Sequence, residues 1–228
     1  MTYVVSDLHG NYDKFKELIE KIGLKETDIL YVLGDIVDYG EQSMELIGDL
    51  SVRYNVYAIA GEHDFLALRM LSGFEKMLSG EATPDADFIA DMQEWVKNGG
   101  QSTLDGFRAL DSEMREGVID YLSDLALYEQ VRADGEDYIL VHAGIANYKP
   151  GMKLDDCEPE TFMSEPLDLS KRLFKNKTVV VGHVPMTEEN GGSGKIYFGN
   201  GAVNVNCGVK DGGLLGCLRL EDMKEFYV

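Results

Sequence analysis

Five times along this chain, a short apolar run ends abruptly in a cluster of Asp, Glu, His and Gly. Val4-Val5-Ser6 runs into Asp7-Leu8-His9-Gly10, and residues 29–33 run into Gly34-Asp35-Ile36-Val37-Asp38-Tyr39-Gly40. Residues 56–60 lead to Gly61-Glu62-His63-Asp64, and two later runs end in His142-Ala143-Gly144 and Gly182-His183. Apolar runs this short read as buried strands. Between the first three lie segments with helical spacing. These are Phe15, Leu18, Ile19 and Ile22, stopped by Gly23, and then Met44, Leu46, Ile47 and Leu50. Strand, helix, strand, helix, strand implies right-handed crossovers and a parallel sheet. In such a sheet the loops after the C-terminal strand ends gather along one edge, and that edge hosts ligands. All four histidines of the chain sit in these loops, beside Asp7 and Asp35.

One histidine after a strand is ordinarily a packed, hydrogen-bonded residue. Four at one sheet edge, with carboxylates between them, point instead to metal. Imidazole with carboxylate suits manganese, iron or zinc rather than calcium. Asp7, His9, Asp35, Glu62, His142 and His183 are too many ligands for one tetrahedral ion with an open position. They suit two divalent ions sharing a carboxylate, a pair able to lower the pKa of a bridging water so that no side-chain nucleophile is required.

Charge supports this reading. The chain carries 41 Asp and Glu against 21 Lys and Arg, a net charge of −20. Such a surface argues against a nucleic-acid partner, which needs clusters of Lys and Arg. An anionic substrate would also be repelled, so a phosphate site must draw its positive charge from bound ions. No run of 18 apolar residues offers a membrane span, and no basic-then-apolar leader is visible at the N-terminus. Cys157, Cys207 and Cys217 form neither a metal-ligand spacing nor an even disulfide framework, which fits a reducing, cytoplasmic setting.

The 228 residues read as one domain, 1–228, with no linker or repeat. Helical spacing continues through the middle. One helix is expected over 63–79, another from Pro84 with Thr83 as its cap, a break at Asn98-Gly99-Gly100, and two shorter helices at 101–110 and 113–124. This makes a helical insert at about 62–125. Strands return at 128–133 and 138–143 around Asp134-Gly135-Glu136-Asp137, a hairpin signal. A short helix is expected at 169–175 and a strand at 178–181. A closing antiparallel meander is expected from 196–198, 203–206 and 214–220.

The ordered set Asp-x-His-Gly, Gly-Asp-x-Val-Asp-x-Gly, Gly-x-His-Asp, His-Ala-Gly and Gly-His resembles the phosphoprotein phosphatase family of calcineurin-like metallophosphoesterases. It is most similar to small bacterial and phage serine/threonine phosphatases and to symmetrical diadenosine tetraphosphatases. The resemblance runs from Val4 to about Leu220 and includes Trp95-Val96-Lys97-Asn98-Gly99-Gly100. It implies an α/β (α+β) fold, a four-layer αββα sandwich. It implies Asp7 and His9 on the first metal, Asp35 bridging, and position 62, His142 and His183 on the second. It implies that His63 protonates the leaving oxygen, oriented by Asp38. The expected activity is phosphomonoester hydrolysis on a phosphorylated protein or a small phosphoester. The alternatives are a dinucleoside polyphosphate and a weakly catalytic phosphate-binding protein.

Two residues depart from the pattern. Glu62 stands where the family has Asn, and Tyr39 where it has Arg. Together they make the site about two charge units less positive by simple count, which weakens its hold on a phosphate dianion. Arg69, two turns after Glu62 on the same helical face, is the expected replacement cation, with Tyr39 offering one hydrogen bond. Lys97 and Arg108 are other candidates. A third departure, Asn206 in place of Asp, receives no role.

Overall fold

The computed structural model describes all 228 residues. Alternation along the first strand decides where the layers go. In β1 (Thr2–Val5), Tyr3 and Val5 enter one hydrophobic cluster and Val4 enters another, as the two-residue period of a strand requires. The same split recurs in β2 (Ile29–Leu33), where Leu30 and Val32 face the first cluster and Leu33 the second. A strand apolar on both sides must be covered on both sides. Helices cover one face: α1 (Tyr12–Ile22) contributes Phe15 and Leu18, and α2 (Ser43–Val52) contributes Leu46, Ile47 and Leu50. A second sheet covers the other.

The first sheet runs β10-β9-β1-β2-β3, with β3 at Val56–Ile59, β9 at Gly216–Arg219 and β10 at Lys224–Tyr227. Its β1, β2 and β3 are parallel, as the crossovers demand, and β9 and β10 close it antiparallel. The second sheet runs β4-β5-β6-β8-β7. There β4 (Tyr128–Ala133) and β5 (Glu136–Val141) form the expected hairpin, while β6 (Lys177–Val181) and β8 (Ala202–Asn204) pair parallel. The edge strand β7 (Tyr197–Phe198) lies antiparallel to β8. Between the sheets pack Val4, Leu33, Ile59, Leu140, Val180 and Val203. The outer face of the second sheet carries Ile139, Val141, Val179 and Val181 under Phe162 and Leu154. This fourth layer is thin: one short α-helix, α7 (Pro159–Met163), a 3-10 turn at Leu154–Asp156, and coil. The whole is the expected two-sheet sandwich flanked by helices.

The insert comprises α3 (Glu62–Leu78), α4 (Ala86–Trp95), α5 (Gln101–Ala109) and α6 (Ser112–Ser123). Asp111 caps α6 as an acceptor for Met114 N–H. Between α4 and α5 the backbone kinks at Asn98 and at Gly99, whose φ of 108° only glycine adopts without strain.

Four expectations need correction. Helix α4 is capped by Asp85, whose carboxylate accepts from Phe88 N–H, and not by Thr83, because the carboxylate lies three residues before a free amide. Residues 169–175 form turns, not a helix; Asp168 instead takes the Ser170 amide and hydroxyl, which competes with helical bonding. The hairpin turn is the two residues Asp134-Gly135. The closing segment is not one meander. After β8 the chain crosses between sheets, so β7 and β8 complete the second and β9 and β10 the first.

Candidate metal centre

Asp7, His9, Asp35, Asp38, His142 and His183 come from loops beyond the strand ends, Glu62 and His63 open the helix α3 that follows β3, and the two sheets contribute jointly. Asp7, His9, Asp35 and Glu62 follow strands of the first sheet, and His142 and His183 follow strands of the second. The loops hold one another through the backbone: Asp7 N–H donates to Gly34 O, His9 N–H to Asp35 O and Gly10 N–H to Ile36 O. Of eight non-glycine residues with positive φ, six are Asp7, His9, Asp35, Asp38, Tyr39 and His183. Strain of this kind costs about 1–3 kcal/mol per residue and persists where surrounding contacts over-determine it. Glycine permits the close approach. A Cβ on Gly61 would collide with the Asp35 carboxylate, and one on Gly182 with Asp7 and Ser6.

Asp35 is the hub. Its side chain joins three groups whose potential ligand atoms lie within 4.8 Å of one another: with Asp7 and His9, with His142 and His183, and with Glu62 and His63. Its Oδ2 is 3.4 Å from His142 Nε2 and 3.7 Å from His9 Nε2, while Oδ1 accepts from His63 N–H at 3.0 Å. Two of the imidazoles present a defined nitrogen. His142 Nδ1–H donates to Leu33 O at 2.6 Å and His9 Nδ1–H to Val37 O at 3.1 Å. A carbonyl only accepts, so Nδ1 carries the proton in each ring and Nε2 is the nitrogen turned toward Asp35. His183 donates its backbone N–H to Asp7 Oδ2, and its Nδ1 lies 3.7 Å from Glu62 Oε1.

The donor set fits divalent cations. Asp7 Oδ1 and His142 Nε2 are buried without a hydrogen-bond partner, a costly condition unless a cation completes it. Burial pushes His9 and His183 down to about 4, keeping both rings neutral with lone pairs free. Burial also pushes Asp7 up to about 6. At His142 burial opposes the proton, yet Asp35 outweighs it and drives the ring up to about 10. Burial likewise opposes ionisation of Asp35, and His142 holds that carboxyl well below its ordinary range. The pair thus draws positive charge into the middle of the cluster, where a metal would displace the proton.

Beside the cluster, His63 Nδ1–H donates to Asp38 Oδ2 at 2.8 Å. Asp38 is fully buried and has no freedom to turn. Trp95 Nε1–H donates to the same Oδ2 at 2.9 Å, Thr103 Oγ1–H to Oδ1 at 2.8 Å, and Asp38 N–H donates to Thr103 Oγ1 at 2.9 Å. Burial of the His63 ring works against its charge, but the Asp38 hydrogen bond and the charges of Asp35 and Asp38 raise its pKa above the usual histidine value.

Arg69 is not the replacement cation. Its guanidinium pairs with Asp91 on α4 and stays exposed, so the helix-face spacing turns it toward a neighbouring helix. Arg108 lies 3.7 Å from Asp105. The cation at the site mouth is Lys210, whose Nζ lies 4.5 Å from the centre of the Tyr39 ring. That ring stands edge-on to His9 and His63, with centroids 5.1 and 5.2 Å apart. Lys210 lies 171 residues after Tyr39 in the chain, and no local spacing connects them. From sequence alone Asp64 and Thr103 had no assigned role, and Asn206 had none although that position stood out as a departure. Asp64 accepts from the amides of Ile36, Val37 and Gly61, clamping the Asp35 loop to the start of α3. Asn206 donates to His183 O and accepts from Gly208 N–H. The Gly-x-His-Asp motif offered a signal for Asp64, which stands at the third position of a helix, where a carboxylate reaches back to the free amides.

The model of calcineurin-like phosphoesterases matches residues 2–215, and the chain belongs to that family, a family of metal-dependent hydrolases of phosphoric esters. Among individual relatives, the chain is 34% identical over 103 residues to the symmetrical bis(5'-nucleosyl)-tetraphosphatase of Actinobacillus pleuropneumoniae serotype 3 (strain JL03), covering 42% of this chain and 38% of that one. A candidate diadenosine tetraphosphatase of known crystal structure superposes with a TM-score of 0.67 at 18% identity, covering 100% of this chain and 92% of the other. A serine/threonine phosphatase from Saccharomyces cerevisiae superposes with a TM-score of 0.54 at 15% identity, covering 95% and 71%. At these identities the structures speak for the fold. The matched stretch spans about two fifths of the curated relative's length.

Proposed function

We propose that the chain hydrolyses phosphoesters at two divalent ions held by Asp7, His9 and Asp35 on one side and by Asp35, Glu62, His142 and His183 on the other. The observation that carries this is the Asp35 carboxylate, shared between ligand groups contributed by both sheets. Manganese, iron and zinc suit the mixed imidazole and carboxylate donors. When bound, the ions supply Lewis acidity toward a water and toward phosphoryl oxygens. The chain's own residues do the rest. His9 and His142 are aimed by carbonyls, Asp7 is tied to the His183 backbone, and His63 keeps a proton for the leaving oxygen. Asp38 fixes the ring so that Nε2–H is the proton given up.

For the substrate, two classes remain in play. The names of the sequence relatives favour a symmetrical dinucleoside tetraphosphate. So does a cleft of about 580 Å³ beyond Tyr39, lined by Glu41, Lys97, Gly99, Gln101 and Ser102, which has room for a nucleoside. The other class, favoured by the motif order, is phosphoserine or phosphothreonine on a protein. Turnover of diadenosine tetraphosphate against a phosphopeptide, with manganese supplied, separates them. A preference of more than about tenfold in kcat/KM decides between them. Absence of turnover on both and on 4-nitrophenyl phosphate, with every divalent metal, would overturn the enzymatic reading. It would leave a phosphate-binding protein, which the double change Tyr39→Arg, Glu62→Asn would then test by restoring rate.

A further inference from the structure

We propose that Lys210, seated on the ring of Tyr39, grips the phosphoryl oxygens of the substrate at the metal cluster. It would thereby supply from the far end of the chain the cation that position 39 lacks. The inference rests on the phosphoesterase reading and adds a residue to it.

Three observations carry it. The first is position. The Lys210 ammonium lies 4.5 Å over the Tyr39 ring, and that ring touches the imidazoles of His9 and His63 edge-on. The ammonium, the proposed acid and a proposed ligand thus all lie against one aromatic ring. The second is the mount. Lys210 lies on a 3-10 turn, Val209–Asp211, whose Val209 side chain is buried in the main core. Glycines with φ of 80° and 84° bracket the turn, and Gly213 N–H donates back to Gly208 O at 2.9 Å. One end is tied to the cluster, because Asn206 accepts from Gly208 N–H and donates to the carbonyl of His183. The other end is held by Lys14, whose ammonium donates to Gly213 O at 2.9 Å. The third is that both arginine candidates are engaged elsewhere, which leaves Lys97, exposed in the cleft beyond Tyr39, as the rival. Arg69 is paired with Asp91, and Arg108 lies beside Asp105.

Chemically the arrangement divides the work of an arginine. The aromatic face holds the ammonium by cation–π attraction, and the three N–H donors remain to meet an anion. Lysine binds phosphate as a point charge, without the bidentate fork. Such a site tolerates variation in the phosphate's orientation, as a chain of several phosphates requires.

The test uses the full-length protein supplemented with manganese. Lys210→Met is expected to raise KM for 4-nitrophenyl phosphate and the inhibition constant of inorganic phosphate by roughly ten- to a hundredfold. Metal content by plasma mass spectrometry should be unchanged. Lys210→Arg should recover most of the loss. Tyr39→Leu should reproduce it, and the double variant Tyr39→Leu, Lys210→Met should be no worse than either single one, since the two act as one device. Phosphate binding by calorimetry reads the same site without turnover. Phosphate affinity that falls in Lys210→Met supports the proposal even if the wild type hydrolyses nothing, a result that would sink only the enzymatic reading. Unchanged phosphate affinity and KM in Lys210→Met with both metals bound would overturn the proposal. So would a loss that follows Lys97→Met and spares Lys210→Met, or a wild-type protein that binds metal and no phosphate.

Discussion

Asp38 accepts three side-chain hydrogen bonds, from His63, Trp95 and Thr103, and that closed arrangement sets how His63 handles its proton. The folded-state pKa of His63 is raised, so the ring keeps its proton beyond about pH 6.5, the ordinary histidine value. The stabilisation from the charged ring is complete below that value and is lost as pH climbs through the higher folded one. In the proposed mechanism the proton given to the leaving oxygen is the same one. The rate should therefore decline on the alkaline side as the ring loses that proton. Asp38→Asn should move that limb toward lower pH and reduce kcat roughly ten- to a hundredfold, with metal content intact. A pH–rate profile of both proteins checks this, and an alkaline limb that does not move would remove Asp38 from the role.

The start of α3 shows how an element can position chemistry that its own side chains do not perform. Asp64 occupies the third position of the helix and accepts from three buried amides, two of them in the Asp35 loop. Asp64→Ala leaves those donors unpaired and should cost about 3 kcal/mol or more, read from urea unfolding. Asp64→Asn, which keeps one acceptor, should cost less. Legibility in the sequence follows the same division. Each histidine could be placed because it ends its own apolar run, so its position depends on neighbours in the chain. The parallel order of β1, β2 and β3 was legible for the same reason. Lys210 on Tyr39 and Thr103 on Asp38 were not, because each contact spans a return of the chain through the whole fold. Arg69 illustrates the limit from the other side. Its helical spacing was right, but a carboxylate on α4 took the side chain away. At 169–175 the apolar spacing was helical, but the Asp168 side chain captured the Ser170 amide and hydroxyl in a local turn.

At the scale of the molecule, the proposed ligands join two sheets that otherwise meet mainly through apolar contacts. Cation binding should therefore act as a clasp across the sandwich as well as a catalytic element. A site saturated about a thousandfold above its dissociation constant contributes about 4 kcal/mol. For a chain of this size each kcal/mol moves the melting temperature by about 2–4 °C. Removal of metal with a chelator should lower the melting temperature by roughly 8–16 °C per tightly bound ion, measured by scanning calorimetry, with recovery on adding manganese. No shift would mean that the cluster does not hold metal in solution. The helical insert has a separate consequence. Trp95 and Thr103, which lock Asp38, belong to the insert, while every proposed metal ligand apart from Glu62 lies outside it. In the proposed mechanism the equipment for splitting an ester is thus divided between two parts of the chain, one to attack and one to help the departing alcohol. Esters of nitrophenol, whose departing oxyanion is stable unaided, need only the first. Esters of serine or of sugar hydroxyls need both. His63→Asn should therefore slow alkyl phosphates far more than aryl ones, and the gap between them measures what the insert adds.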